Sequence, residues 1–306
     1  MLRYVFKRLL GAVFVVFCIV TFSFFMIRLA PGGPFDQERA LPPDILRNIE
    51  AKYHLDEPLP KQYLRYVSGV FFRFDLGPSY KYPSRTVNEF VKEGFPITAQ
   101  LGFNALLIAI LLGVGAGITA ALRQNTRWDY MGMAGAMVGV SIPSFVMAPL
   151  LQLFFGLQLR WFPVAGWDSF SQMVLPSFAL GVLYAASIAR LTRGGMLEIV
   201  RQDFIRTARA KGLPEKWVVI RHMLKGGLLP VVSYLGPAAA YLLTGSLVVE
   251  KIFDIPGIGR HFVNSALNRD YTMTMGMVIV FSVFLLLFNI IVDIVYTFLD
   301  PRIRYD

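Results

Sequence analysis

The chain offers little of what an enzyme uses. Its three histidines, His54, His222 and His261, are scattered, and none has the i, i+4 partner that holds zinc on a helix. Gly113-Val-Gly-Ala-Gly117 has the look of a phosphate-cradling glycine loop. It lies inside an apolar run, follows no strand and precedes no Gly-Lys-Ser/Thr, so the nucleotide reading fails. Gly113 and Gly117 fit instead the small-xxx-small spacing by which membrane helices approach closely. No Gly-x-Ser-x-Gly elbow occurs, and no close carboxylate pair sits in an apolar setting. The expectation is a chain that is not itself an enzyme, with no catalytic residue, metal site or cofactor of its own.

Polar residues inside apolar runs are the next candidates, because lipid makes them costly. Asn104, Ser141, Ser144, Gln152, Ser187, Tyr234, Tyr241, Thr244, Ser246, Asn289 and Asp293 are of this kind. Ser141, Ser144, Tyr241, Thr244 and Asn289 are the candidates to line a water-filled pathway. The competing reading is that each hydroxyl bonds its own helix backbone. Asn289 and Asp293 share a helix face, and Asp293 is expected to pair with Arg190 or Arg193. A proton or substrate role for Asp293 is the alternative.

The most pointed segment is basic: Arg206-Thr-Ala-Arg-Ala-Lys-Gly-Leu-Pro-Glu-Lys-Trp-Val-Val-Ile-Arg-His222. A helix over residues 203–211 is predicted, closed by Gly212 as a natural C-cap. Pro214 then opens a second helix to about residue 225. Along that helix Trp217, Ile220 and Leu224 form an apolar stripe beside Lys216 and Arg221. Physics alone leaves two uses open, docking on a soluble partner and attraction to anionic headgroups.

The elements that hold this segment follow from composition. The 306 residues are 55% hydrophobic and only 16% charged, against about 25% charged in soluble domains. Mean hydropathy is +0.54. The net charge of +10 gathers in particular loops, which argues for membrane topology rather than nucleic acid. Six stretches, 9–29, 98–122, 132–157, 173–191, 228–249 and 273–299, are long enough to cross a bilayer. The first follows Arg3, Lys7 and Arg8, yet is too long for a signal-peptide core and has no Ala-x-Ala site after it, so it reads as an uncleaved anchor. Cys18 lies within it as a small apolar side chain. Arg3, Lys7, Arg8, Arg123, Arg127, Arg302, Arg304 and the basic segment fall on one side if both termini are cytoplasmic. Residues 31–97 then form a long outer loop. Ile45, Ile49 and Tyr53 at i, i+4, i+8 predict an amphipathic helix there, and Tyr63, Tyr66, Val67 and Val70 a second.

Thr207-Ala-Arg-Ala-Lys-Gly212 resembles the cytoplasmic coupling loop of ABC-importer permeases, in which a Glu-Ala-Ala segment precedes a glycine. Here Thr207-Ala208-Arg209 stands in that place, and His222 and Leu224-Lys225 stand where the general pattern has Ile and Leu-Pro. These departures resemble the peptide/nickel branch. Arg28-Leu-Ala-Pro-Gly-Gly-Pro34, Asp75-Leu-Gly-Pro-Ser79, Gln124-Asn-Thr-Arg-Trp-Asp129, Glu250-Lys-Ile-Phe-Asp-Ile-Pro-Gly-Ile-Gly259 and Leu267-Asn-Arg-Asp-Tyr271 do so too. Nearly the whole chain is similar to the B-type inner-membrane permease of bacterial oligopeptide uptake systems.

The resemblance implies an all-α membrane protein with six transmembrane helices in the type I ABC-importer permease fold. Residues 1–30 would be the N-terminal anchor helix and 31–97 a periplasmic loop with amphipathic helices. Residues 98–299 would be a five-helix core containing the coupling loop 194–227, and 300–306 a cytoplasmic tail. The coupling residues would be Thr207, Ala208, Arg209, Ala210, Lys211, Gly212, Leu213 and Pro214. Implied partners are a homologous second permease, two ATPase subunits that bind the ATP and Mg, a periplasmic peptide-binding protein and membrane lipid, with no nucleic acid. The chain would form half of an oligopeptide pathway across the bacterial inner membrane. Nickel, glutathione or dipeptide transport in the same branch is the near alternative. A self-sufficient secondary transporter, with its own coupling-ion site, is the distant one.

Overall fold

A computed structural model describes residues 2–29, 33–35, 43–243 and 247–299. Thr244, Ser246, Arg302, Arg304 and the tail 300–306 lie outside the described residues. In chain order the helices are α1 (Leu2–Leu29), α2 (Pro43–Lys52), α3 (Leu59–Ser68), α4 (Val87–Leu122), α5 (Arg127–Ser141), α6 (Ser144–Leu151) and α7 (Phe170–Val200). Then come α8 (Asp203–Ala210), α9 (Glu215–Trp217), α10 (Leu224–Gly227), α11 (Leu229–Leu243), α12 (Leu247–Ile252), α13 (Ile258–Leu267) and α14 (Tyr271–Leu299). Three wider π-helical stretches, Gly69–Arg73, Gln152–Gln158 and Val218–Met223, extend α3, α6 and α9.

Five segments among the described residues are long and apolar enough to cross a membrane: Phe6–Leu29, Val87–Leu122, Phe170–Val200, Leu229–Ile252 and Tyr271–Ile291. Arg127–Ser141 with Ser144–Gln158, bent by 106°, makes a sixth if the pair is counted as one span. The continuous helix expected over 132–157 is thus interrupted. Ile142 is extended (φ −97°, ψ 112°) ahead of Pro143, as the proline ring requires of its predecessor. Pro96, Pro149, Pro176 and Pro237 stay inside their helices.

The chain divides into two compact units, Met1–Thr98 with Pro256–Asp306, and Ala99–Ile255. In the first, α1 packs along α14, and α13 also packs on α14. Its core joins Val20, Val70, Val87, Phe90, Ile258, Met273 and Met277. The predicted amphipathic helices pack within this unit. Ile49 and Tyr53 rest on a cluster of Phe35, Tyr80 and Tyr271, while Tyr66 and Val67 rest on the main core. Asp293 does not pair with Arg190 or Arg193. Its Oδ2 lies 3.0 Å from Arg8 Nη1, because the contact between α1 and α14 brings the basic N-terminal turn to that end of α14.

In the second unit α7 is the hub, packed by α5, α6, α10, α11 and α12. Gly113 and Gly117 serve the close approach expected of them. A Cβ on Gly113 would meet Ile188 Cβ at 2.6 Å, and one on Gly117 would meet Thr192 Cβ at 2.4 Å. Gln152, one of the polar residues within the apolar runs, fastens backbone. Its amide donates to Val164 O at 2.6 Å and to Ile252 O at 3.1 Å.

Candidate functional site

The basic segment folds as a helix, a turn and a second helix. In α8, Ile205 and Ala208 are buried at i, i+3 and every other residue is exposed. Thr207 Oγ1 bonds Asp203 O at 3.0 Å, and Gly212 N bonds Arg209 O at 2.9 Å, closing the helix. Gly212 takes φ +75°, and a Cβ added to it would meet nothing within 4 Å. Backbone conformation, not space, is therefore what calls for glycine. Pro214 (φ −56°) caps the next helix, and Trp217 N and Val218 N both bond its carbonyl.

The two arms are tied across the turn. Arg209 Nη2 donates to Glu215 Oε1 at 2.6 Å, and Nε donates to Oε2 at 3.1 Å. These bonds hold the Glu215 carboxyl below the ordinary carboxylate range and raise the Arg209 guanidinium. The partner of Arg209 could have been suspected from its opposite charge six residues on, but only the turn geometry brings the two together.

Beneath the arms lies a small apolar core. Ile205, Ala208, Val218, Val219 and Met223 pack with Ala121 of α4 and Met196 of α7. The seat is continued where α10 meets α7, since a Cβ on Gly195 would lie 2.2 Å from Gly227 O. The expected stripe of Trp217, Ile220 and Leu224 splits. Leu224 joins the core, while Trp217 and Ile220 remain exposed with Phe204 and Leu213. The π-helical widening at Val218–Met223 turns Val218, Val219 and Met223 inward instead, and no spacing rule for an α-helix foresees that. The Arg221 guanidinium stands 4.9 Å from the Trp217 ring centroid. Thr207, Arg209, Ala210, Lys211, Gly212, Leu213 and Pro214 thus present an exposed surface, and Ala208 is part of its seat.

Close by in the same unit, Arg193 forms a two-point pair with Asp129: Nε to Oδ1 at 2.7 Å and Nη2 to Oδ2 at 2.8 Å. Asn125 N adds a bond to Oδ2 at 3.0 Å. The pair joins the first turn of α5 to α7 just before Met196. The sequence offered Arg190 or Arg193 as the partner of Asp293 and did not point to Asp129, a carboxylate buried at the helix start.

The pathway candidates are less unified. Ser141 Oγ bonds Met137 O at 2.9 Å and Asn289 Nδ2 bonds Leu285 O at 2.8 Å, each within its own helix. Ser141 and Tyr241 are exposed, and Ser144 and Asn289 are half-buried. Asn289 belongs to the first unit, the other three to the second. Thr244 falls outside the described residues.

Two family models cover the chain. Residues 113–305 match the binding-protein-dependent transport system inner membrane component, and residues 1–102 match the N-terminal part of the membrane component of such systems. The oligopeptide transport system permease OppB of Salmonella typhimurium is 52% identical over 307 residues, covering all of both chains. The dipeptide transport system permease DppB of Bacillus subtilis is 45% identical over 304 residues, covering 99% of this chain and 98% of that one. Among solved structures, an inward-facing MetNI methionine ABC transporter chain superposes with a TM-score of 0.56 at 18% identity, covering 69% of this chain and 96% of that one. The architecture is that of the type I importer permeases. With matches along nearly its full length, the chain belongs to the family of binding-protein-dependent transport system inner membrane components.

Proposed function

We propose that this chain forms half of the membrane pathway of an ATP-driven importer of oligopeptides. It would work with a homologous second permease, two ATPase subunits that bind ATP and Mg, and a periplasmic peptide-binding protein. The observation that carries the reading is the end-to-end similarity to an oligopeptide permease at 52% identity. The lysine and arginine distribution supports a topology with both termini in the cytoplasm and residues 31–97 outside.

The 203–227 platform would receive the ATPase. Its exposed Phe204, Leu213, Trp217 and Ile220 stand among Arg206, Lys211, Lys216 and Arg221, an apolar patch with a basic rim suited to a protein groove. Its seat on α4 and α7 gives a pull on the platform a rigid route into two spans. Coupling of this kind needs an element with two arrangements that nucleotide and substrate bias differently. Ser141, Ser144, Tyr241, Thr244 and Asn289 remain the proposed pathway residues.

Reconstitution of the chain with its second permease, ATPases and binding protein in proteoliposomes tests the reading. ATP-dependent uptake of labelled oligopeptides is the expected result. Uptake of dipeptides alone would move the substrate toward that of the 45% identical dipeptide permease. Uptake of nickel alone, or of any substrate without the ATPases, would overturn the proposal.

A further inference from the structure

The first unit holds a cavity of about 350 Å3 whose charged lining is mainly cationic. Arg28, Lys52, Arg65 and Arg73 line it with Tyr66 and Tyr80, and Asp75 is its one carboxylate among the described residues. Arg65 is already satisfied by Glu57 at 2.7 Å, and Asp75 Oδ1 accepts Gly77 N at 2.9 Å. Arg28 is different. Its Nε and Nη2 bond the neutral Gln62 Oε1, both at 3.1 Å, and its guanidinium lies 3.7 Å from the Phe24 ring centroid.

Arg28 Nη1 is buried without a hydrogen-bond partner, and so is Tyr66 Oη. The Tyr80 hydroxyl acts on the guanidinium both electrostatically and as a weak hydrogen-bond partner, without reaching full bonding geometry at Nη1. Among the described residues no carboxylate forms an ion pair with Arg28, Lys52 or Arg73. Buried guanidinium groups are ordinarily paired, because an unpaired buried charge is expensive. Two buried orphan donors, with the exposed cations Lys52 and Arg73 also lining the cavity, make a site for an oxyanion, whose several acceptors suit the guanidinium fork.

Position selects the oxyanion. Arg28 is the basic residue of the last turn of α1, at the end of the apolar span Phe6–Leu29. Arginines and tyrosines at that depth sit at headgroup level. Phe25, Met26 and Leu29 on the same helix end are exposed apolar surface on which acyl chains would lie. We propose that this cavity holds the headgroup phosphate of an anionic phospholipid in the leaflet surrounding the C-terminal end of the first span. The cavity takes a phosphate and its glycerol, and the tails stay outside along α1.

The test uses the assembled transporter in phosphatidylcholine nanodiscs with increasing phosphatidylglycerol, and counts retained phosphatidylglycerol by native mass spectrometry. The wild type should retain one phosphatidylglycerol more tightly than the bulk annulus. Arg28→Gln and Arg73→Gln should each weaken that retention about fivefold, in keeping with one basic residue at a lipid surface. Tyr66→Phe removes only an unpaired hydroxyl. It should weaken retention severalfold with an unchanged unfolding temperature, and it carries the test if Arg28→Gln fails to assemble. Equal retention in Arg73→Gln, Tyr66→Phe and the wild type would overturn the proposal. Displacement of the bound phosphatidylglycerol by millimolar inorganic phosphate would assign the cavity to a soluble oxyanion and overturn the lipid.

Discussion

Ser79 donates its hydroxyl hydrogen to Asp270 Oδ2 at 2.5 Å, across 191 residues of sequence. Asp270 is 1% exposed and also accepts from Tyr80 N, Lys81 N, Thr272 Oγ1 and Met273 N. One carboxylate thus caps α14 and pins the loop that follows Leu76. The sequence segments around Ser79 and Asp270 that resembled the permease family are two halves of one clamp.

Asp270→Ala removes the shared acceptor and leaves buried donors unsatisfied. A loss of about 3 kcal/mol is expected, against about 1 kcal/mol for Ser79→Ala. Thermal unfolding of the purified complex in detergent measures both. Equal, small effects would show that the clamp contributes little.

Asp129 and Arg193 should behave as a coupled pair. Asp129→Ala leaves the guanidinium without its two-point partner, and a cost of about 1–2 kcal/mol is expected, because Arg193 keeps some contact with solvent. The double variant Asp129→Ala with Arg193→Met should recover part of that loss, because no uncompensated charge remains. A double-mutant cycle on unfolding temperature reads the interaction, and strict additivity would contradict it.

Gly212 separates conformational from steric demands. Nothing lies within 4 Å of where its Cβ would be, but φ is +75°. Asn, which tolerates the left-handed region, should keep most ATP-driven uptake. Val should lower uptake about tenfold, because a β-branched side chain there costs over 1 kcal/mol and opens the turn that joins the two arms. Comparable uptake in Gly212→Val and the wild type would sink the coupling role assigned to this turn.

His261 gives a pH signature. Burial, then Arg260 and Arg85, push its pKa down to about 4 from the usual 6.5, with Glu93 acting weakly the other way. Its ring lies 4.8 Å from that of Phe90. A base with a lowered folded-state pKa leaves stability intact above pH 6.5. Stability then falls as pH drops from 6.5 toward 4, where the unfolded chain binds the proton and the folded one does not. The His261→Phe variant should show a shallower decline of unfolding temperature between pH 7 and 5. Parallel curves for variant and wild type would mean that His261 is not responsible.

Much of this was legible in the residues because it depends on local composition and spacing. Apolar length alone marks the spans. Gly212 and Pro214 mark the turn of the platform, since φ > 0 and a fixed proline φ are properties of single residues. Gly113 and Gly117 announce a close helix approach by being four apart. Proline is where that logic stops. Pro143 breaks its helix while Pro149 and Pro176 stay inside theirs, and residue type alone does not separate the two cases.

Partner choice belongs to the tertiary structure. Asp293, Arg193 and Asp129 each carry a charge that needs compensation, and the sequence says only that partners must exist. Helix positions decide that Arg8 meets Asp293 and that Asp129 meets Arg193. The same holds for the face of the platform that is buried, since a π-helical turn re-aims Val218, Val219 and Met223 inward and leaves Trp217 and Ile220 out. Periodicity, glycine and proline act within a few residues and can be read along the chain. Pairing energies depend on distance in space, which only the folded chain sets.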